Sequence, residues 1–158
     1  MIQRIEGRRQ VMTTKLYETD FAQWAVAQAD HLRNEEYAEL DLNNLIEEIE
    51  SMGASQRSEL HKRLMRILEH MLKITCEPES SAVGKWQKTI LTQRLQLAHL
   101  LKTNYTLRSQ IDTFVDDAYQ AARLLAAAGS VCVVEDFSAS CPWPAEQLLD
   151  LNFSVAKQ

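Results

Sequence analysis

Three carboxylates crowd the segment Glu47-Glu48-Ile49-Glu50, and Glu47 and Glu50 stand three residues apart. That spacing projects both from one side of a helix. Paired carboxylates on a helix face are raw material for general acid–base work or for binding a hard metal. A di-metal bundle site asks for more, namely a Glu from each of two helices and a Glu-x-x-His from two others. No Glu-x-x-His occurs in the chain, and the four histidines (His31, His61, His70, His99) are scattered. His61 and His70 are nine residues apart, about 180° around a helix, and cannot share an ion. The simpler reading of the acidic run is charge near a helix N-terminus that complements the macrodipole. No metal and no other cofactor is therefore expected. His70 flanks an apolar stripe beside Glu69 and completes an enzyme reading in which Glu47, Glu50 and His70 are the candidate catalytic residues.

Cys76, Cys132 and Cys141 match no zinc spacing. Their odd number points to reduced thiols, and hence to a cytoplasmic protein. No cation lies near Cys141 in the sequence to depress its thiol, which argues against a nucleophile. Phosphate loops, dinucleotide fingerprints and nucleophile elbows are missing. The cations are uneven: residues 57–108 hold ten basic and four acidic groups, whereas residues 12–56 hold two basic and ten acidic. Lys62, Arg66 and Lys73 fall within about 40° of each other on a helical projection, opposite the apolar stripe, and should face water. This ridge suits an acidic partner or nucleic acid. The net charge of −5 and the lack of interleaved aromatics disfavour nucleic acid.

The elements that must position these groups are helices. The chain has 158 residues, 46% hydrophobic and 25% charged, with only four Gly and three Pro. That is ordinary globular composition, with too few turn formers for an all-β chain. No apolar run approaches the roughly 20 residues of a membrane span. Asp20 with Gln23 reads as a capping box opening a helix over 20–33. Leu42, Leu45, Ile46, Ile49, Gly53, Gln56, Leu60, Leu64, Ile67, Met71 and Ile74 keep one helical phase. They predict a single long helix over about 42–75, with a bend allowed at Gly53. Pro78 ends it. A third helix is expected over 84–103 and a fourth over 107–128, with Gly129 as terminator. Val131–Val134 reads as an extended segment, and a short helix over 145–150 docks the tail. The expected fold class is all-α, a bundle of four main helices built on the long one. Residues 1–11 show no periodicity and read as an extension ahead of Met12, leaving 12–158 as one helical domain.

Helix three carries the anomaly that bears on function. Leu91, Leu95 and Ala98 form a second apolar strip away from the main stripe of Ile90, Leu97 and Leu101. A helix apolar on two faces borders a partner or sits at the centre of its bundle. Gln56 and Gln93, inside their stripes, are expected as buried amides that fix register.

Several stretches together resemble a bacterial family, domain-of-unknown-function family number 29. They are Leu16-Tyr17-Glu18-Thr19-Asp20-Phe21 with Trp24, and above all the run from Leu40 to Gly53. Glu69-His70-Met71-Leu72-Lys73, Trp86 with Thr89-Ile90 and Arg94, Leu107-Arg108, Cys141-Pro142-Trp143 and Gln147-Leu148-Leu149-Asp150 continue it. The resemblance spans about 16–153 and implies a compact all-helical protein with no catalytic residue or cofactor to carry over. It places weight on Asn44, Glu47, Glu48, Glu50 and His70, and supports Met12 as the initiator. Glu77-Pro78-Glu79-Ser80-Ser81 departs from it by being acidic.

The sequence thus describes a small helical interaction or regulatory module whose partner is another protein or a second copy of itself. The partner-binding candidates are Leu91, Leu95, Lys62, Arg66 and Lys73. An enzyme or metal protein using Glu47, Glu50 and His70 is the first alternative, and nucleic-acid binding the second.

Overall fold

The computed structural model describes residues 15–155. The proposed extension, residues 1–11, lies outside them. Residues 15–19 are helical, followed by α1 (Phe21–Arg33), α2 (Leu42–Cys76), α3 (Val83–Thr103), α4 (Tyr105–Ser109), α5 (Ile111–Ala128) and α6 (Ala145–Leu149). Short 3-10 turns cover Tyr37–Glu39 and Val134–Asp136. Among the described residues there is no strand, so the class is all-α as expected. No helix among them is long and apolar enough to cross a membrane. The long helix is continuous through Gly53, with 35 residues.

The chain forms two compact units, one ending at Ala54 and the other beginning at Ser55. In the first, Asp20 caps α1 by accepting the Gln23 amide at 3.0 Å. α1 buries only Trp24 and Gln28. Phe21 and Leu32, which stand at helical spacing with Trp24 and Gln28, are about half exposed. The interior is correspondingly polar. Asp41 is buried before α2, its amide donates to Gln28 Oε1 at 2.8 Å, and its carboxylate receives Asn44 Nδ2 at 2.7 Å. Trp24 Nε1 approaches the same carboxylate oxygen at 3.4 Å. The rings of Tyr17, Phe21 and Trp24 pack edge-on or tilted, with centroids 4.9–5.9 Å apart.

In the second unit the apolar stripe of α2 becomes a core. Leu60, Leu64, Ile67, Leu68, Met71 and Ile74 are buried together with Ile90, Leu97, Leu100 and Leu101 of α3. α5 contributes Ile111, Val115 and Tyr119 and the small residues Ala118, Ala122 and Ala126, all buried. Gln120 and Arg123 tie α5 to the following loop by donating to the carbonyls of Ala139, Val134 and Phe137 at 2.9–3.1 Å, and the Tyr119 hydroxyl donates to Ser138 O at 2.9 Å. α6 rests on α3 and α5.

Four expectations change. The fourth helix is split, because Gln110 interrupts it and α5 starts afresh at Ile111. The cause is local: the Ser109 hydroxyl donates to Thr106 O at 2.9 Å and the Thr113 hydroxyl to Gln110 O at 2.7 Å, competing with the helical ladder. Gly129 does end α5, but with φ −122°, so no left-handed conformation selects it. A Cβ there would lie 2.7 Å from Lys73 Nζ, the far end of a flexible side chain that would have to shift. Val133 is extended, whereas Val134 opens a 3-10 turn that Asp136 closes by accepting the Val133 amide at 2.9 Å. The largest change concerns the thiols. Cys76 and Cys132 are joined in a disulfide with Cα atoms 6.1 Å apart, and only Cys141 is a free cysteine. The pairing bridges the end of α2 to the loop after α5, beside a 2.8 Å bond from the Val131 amide to Glu77 Oε1. It removes the reduced-thiol premise on which the cytoplasmic assignment stood.

The two cysteines are 56 residues apart. Opening a loop of that size removes about 4 kcal/mol of stabilisation by chain entropy. Cys132→Ser is expected to lower the urea midpoint of the oxidised protein to that of the reduced wild type. Equal midpoints for oxidised wild type and variant would show that the crosslink contributes nothing.

Candidate functional site

The candidate residues fall on separate parts of the two units. Glu47 and Glu50 are exposed on the first turns of α2, in the first unit. Glu48 is half-buried and accepts the Tyr17 hydroxyl at 2.6 Å. That bond, reinforced by burial and by the charges of Glu48 and Glu47, pushes the Tyr17 phenol up to about 12, so it stays protonated. His70 belongs to the second unit, on the same helix but 20 residues beyond Glu50. The carboxylate pair and the imidazole therefore share no turn. Among the described residues no three His, Cys, Asp or Glu side chains group as metal ligands.

Around Glu47 and Glu50 the notable feature is apolar. Leu42, Ile46, Ile49 and Met52 are 54–66% exposed, although they continue the stripe that is buried from Leu60 onward. Their spacing of four, three and three residues places them on one side of the helix. Gln56 is also exposed, so it is no register-fixing buried amide. On α3 Leu91, Leu95 and Ala98 lie at the surface as the strip predicted. Gln93 is half-buried and accepts Arg63 Nη1 at 3.1 Å.

The basic ridge is not uniform. Lys62 is exposed and Arg66 keeps half of its side chain in solvent, but the Lys73 side chain is only 12% exposed. Lys73 is drawn in by Glu69, a buried carboxylate that receives Lys73 Nζ at 2.7 Å and Arg66 Nη1 at 3.0 Å. The missing side chain at Gly129 leaves room for its ammonium. Burial opposes the Glu69 charge, but the Lys73 and Arg66 contacts and the charge of His70 hold its carboxyl below the ordinary range. Sequence reading placed Lys73 in water because a helical projection knows nothing of α5.

His70 is half-buried, and its Nδ1 has no hydrogen-bond partner. Burial pushes its imidazole below the ordinary histidine value; Lys73, Arg66 and Lys85 act in the same direction, and Glu69 opposes them. The group is neutral at pH 7. Burial also raises the Cys141 thiol, against the opposing Trp143 backbone bond, and so lowers its thiolate fraction at neutral pH.

Arg94 was passed over as a site residue, although it is buried. Its guanidinium donates to three carbonyls, Leu148 O at 3.0 Å, Gln147 O at 3.1 Å and Phe153 O at 2.5 Å. It also lies 5.9 Å from the Phe153 ring centroid. The role is anchorage of α6 and the tail. Two sequence signals pointed to it: it belongs to the family pattern, and it stands four residues after Ile90 and three before Leu97, on the inward face of α3.

Because the folded-state value of His70 lies below the unfolded one, the unfolded chain takes up its proton first as pH falls. Stability is therefore fully present above about pH 6.5 and declines below it. Urea denaturation between about pH 7.5 and about pH 5 is expected to show this decline, and His70→Gln to flatten it. An unchanged slope in the variant would move the effect to other groups.

Neither the curated proteins nor the solved structures contain a match to this chain. A family model described as "Domain of unknown function DUF29" matches residues 16–154. With nearly the whole sequence covered and an all-helical fold in place, the chain belongs to the DUF29 family.

Proposed function

We propose that this protein is a protein–protein interaction module that seats a cationic amphipathic helix along the first turns of α2. One observation carries the reading: Leu42, Ile46, Ile49 and Met52 stand more than half exposed along one side of a helix. Four large apolar side chains in register exceed the scattered exposure normal for a surface. Their spacing is that of the anchors in helix-in-groove recognition. The charge around them selects the partner. Residues 12–56 hold ten acidic and two basic groups, and Glu47 and Glu50 are exposed beside the stripe. A second copy offering the same acidic face would be repelled, whereas a helix with lysines flanking its leucines would be attracted. The enzyme reading loses support, because Glu47 and Glu50 share no turn with His70.

The test is binding of a synthetic leucine- and lysine-patterned helix to the full chain, read by fluorescence anisotropy. Ile46→Glu with Ile49→Glu is expected to weaken binding by roughly tenfold or more, about 1.4 kcal/mol. At exposed positions the double variant should shift folding stability by only about 0.5 kcal/mol per site. Equal binding of a charge-reversed peptide, or undiminished binding by the variant, would overturn the proposal. So would a dimer in light scattering that the variant dissolves, since the face would then belong to a second copy.

A further inference from the structure

We propose that a groove on the second unit, between α2 and α3, is a binding site for a phosphate monoester. It has a volume of about 640 Å³, and Ser55, Ser58, Lys62 and Arg66 of α2 face Gln93 of α3 across it. Ser58, Lys62 and Arg66 succeed one another at four-residue steps, so they project from one face about 6 Å apart along the axis. The reach of a lysine and an arginine lets both cations converge on a group held by the serine hydroxyls.

Charge decides the ligand class. The groove is lined by three cations, Lys62, Arg63 and Arg66, and one carboxylate, Glu59. Glu59 is already held by Arg63, with Nε at 3.0 Å and Nη2 at 2.5 Å. The remaining surplus of two positive charges matches a phosphate monoester near pH 7, which carries about −1.5 to −2. Behind the groove Glu69 takes both Lys73 at 2.7 Å and Arg66 at 3.0 Å; with this pair included, four cations stand against two carboxylates and the surplus of two is unchanged. Lys62 makes no hydrogen bond or ion pair within the described chain, so its ammonium is available. The neutral donors of Ser55, Ser58 and Gln93 can serve oxygens beyond the two a carboxylate would offer. No aromatic ring lines the groove, so a nucleobase finds no stacking platform. The groove belongs to the second unit, shares no residue with the α2 face assigned to the helical partner, and does not depend on it.

The experiment is calorimetric titration of the full chain with inorganic phosphate and, separately, with a phosphoserine peptide. Chloride at matched ionic strength is the control. Both probes should release heat beyond the chloride control, and the phosphopeptide more strongly above about pH 6, where its monoester becomes dianionic. Binding by both marks free phosphate as sufficient, and binding by the peptide alone marks a phosphorylated protein as the source. Lys62→Gln, at an exposed position, should weaken either probe roughly tenfold, with recovery in Lys62→Arg. Heats equal to the chloride control overturn the proposal, as does undiminished binding by Lys62→Gln. An oligonucleotide that binds more tightly than the phosphopeptide, with a steep salt dependence, also overturns it in favour of nucleic acid.

Discussion

Leu60, Leu64, Ile67, Leu68 and Met71 have no solvent exposure, and they occupy successive turns of α2. Burying each such side chain is worth about 1.5–3 kcal/mol, and truncating one to alanine costs about 2–5 kcal/mol. Every other element of the second unit is placed by access to this seam. α3 answers it with Ile90, Leu97 and Leu101, and α5 with Val115, Ala118 and Ala122. The disulfide then fastens the end of the same helix to the loop that leaves α5.

The same sequence stripe has two fates. From Leu60 onward it is core, and before Ser55 it is surface. Periodicity reports that a segment is helical and which side is apolar, and on that ground the long helix was legible almost to the residue. It does not report what covers the apolar side. The first unit compensates with polar contacts: Asp41 gathers Gln28, Asn44 and Trp24 around one buried carboxylate. Such a network fixes geometry because few alternative packings satisfy every donor.

What escaped the sequence escaped for definite reasons. The Cys76–Cys132 pairing spans 56 residues and leaves no local motif. The interruption at Gln110 depends on two hydroxyl bonds that propensity cannot see. Lys73 lay on the expected face, yet Glu69 and the open space at Gly129 take it out of solvent. Lys62, Arg66, Leu91 and Leu95 stayed where a helical projection put them, since nothing from another element reaches over to bury them. Exposure was thus legible where only one helix decides a side chain's environment.

Arg94 joins distant times as well as distant places. The carbonyls it holds belong to residues 53 to 59 positions later in the chain. At about 5–20 residues per second, Arg94 is synthesised several seconds before those carbonyls exist. A chain lacking residues 147–153 would leave the guanidinium without any of the three carbonyls that fasten α6 and the tail to α3.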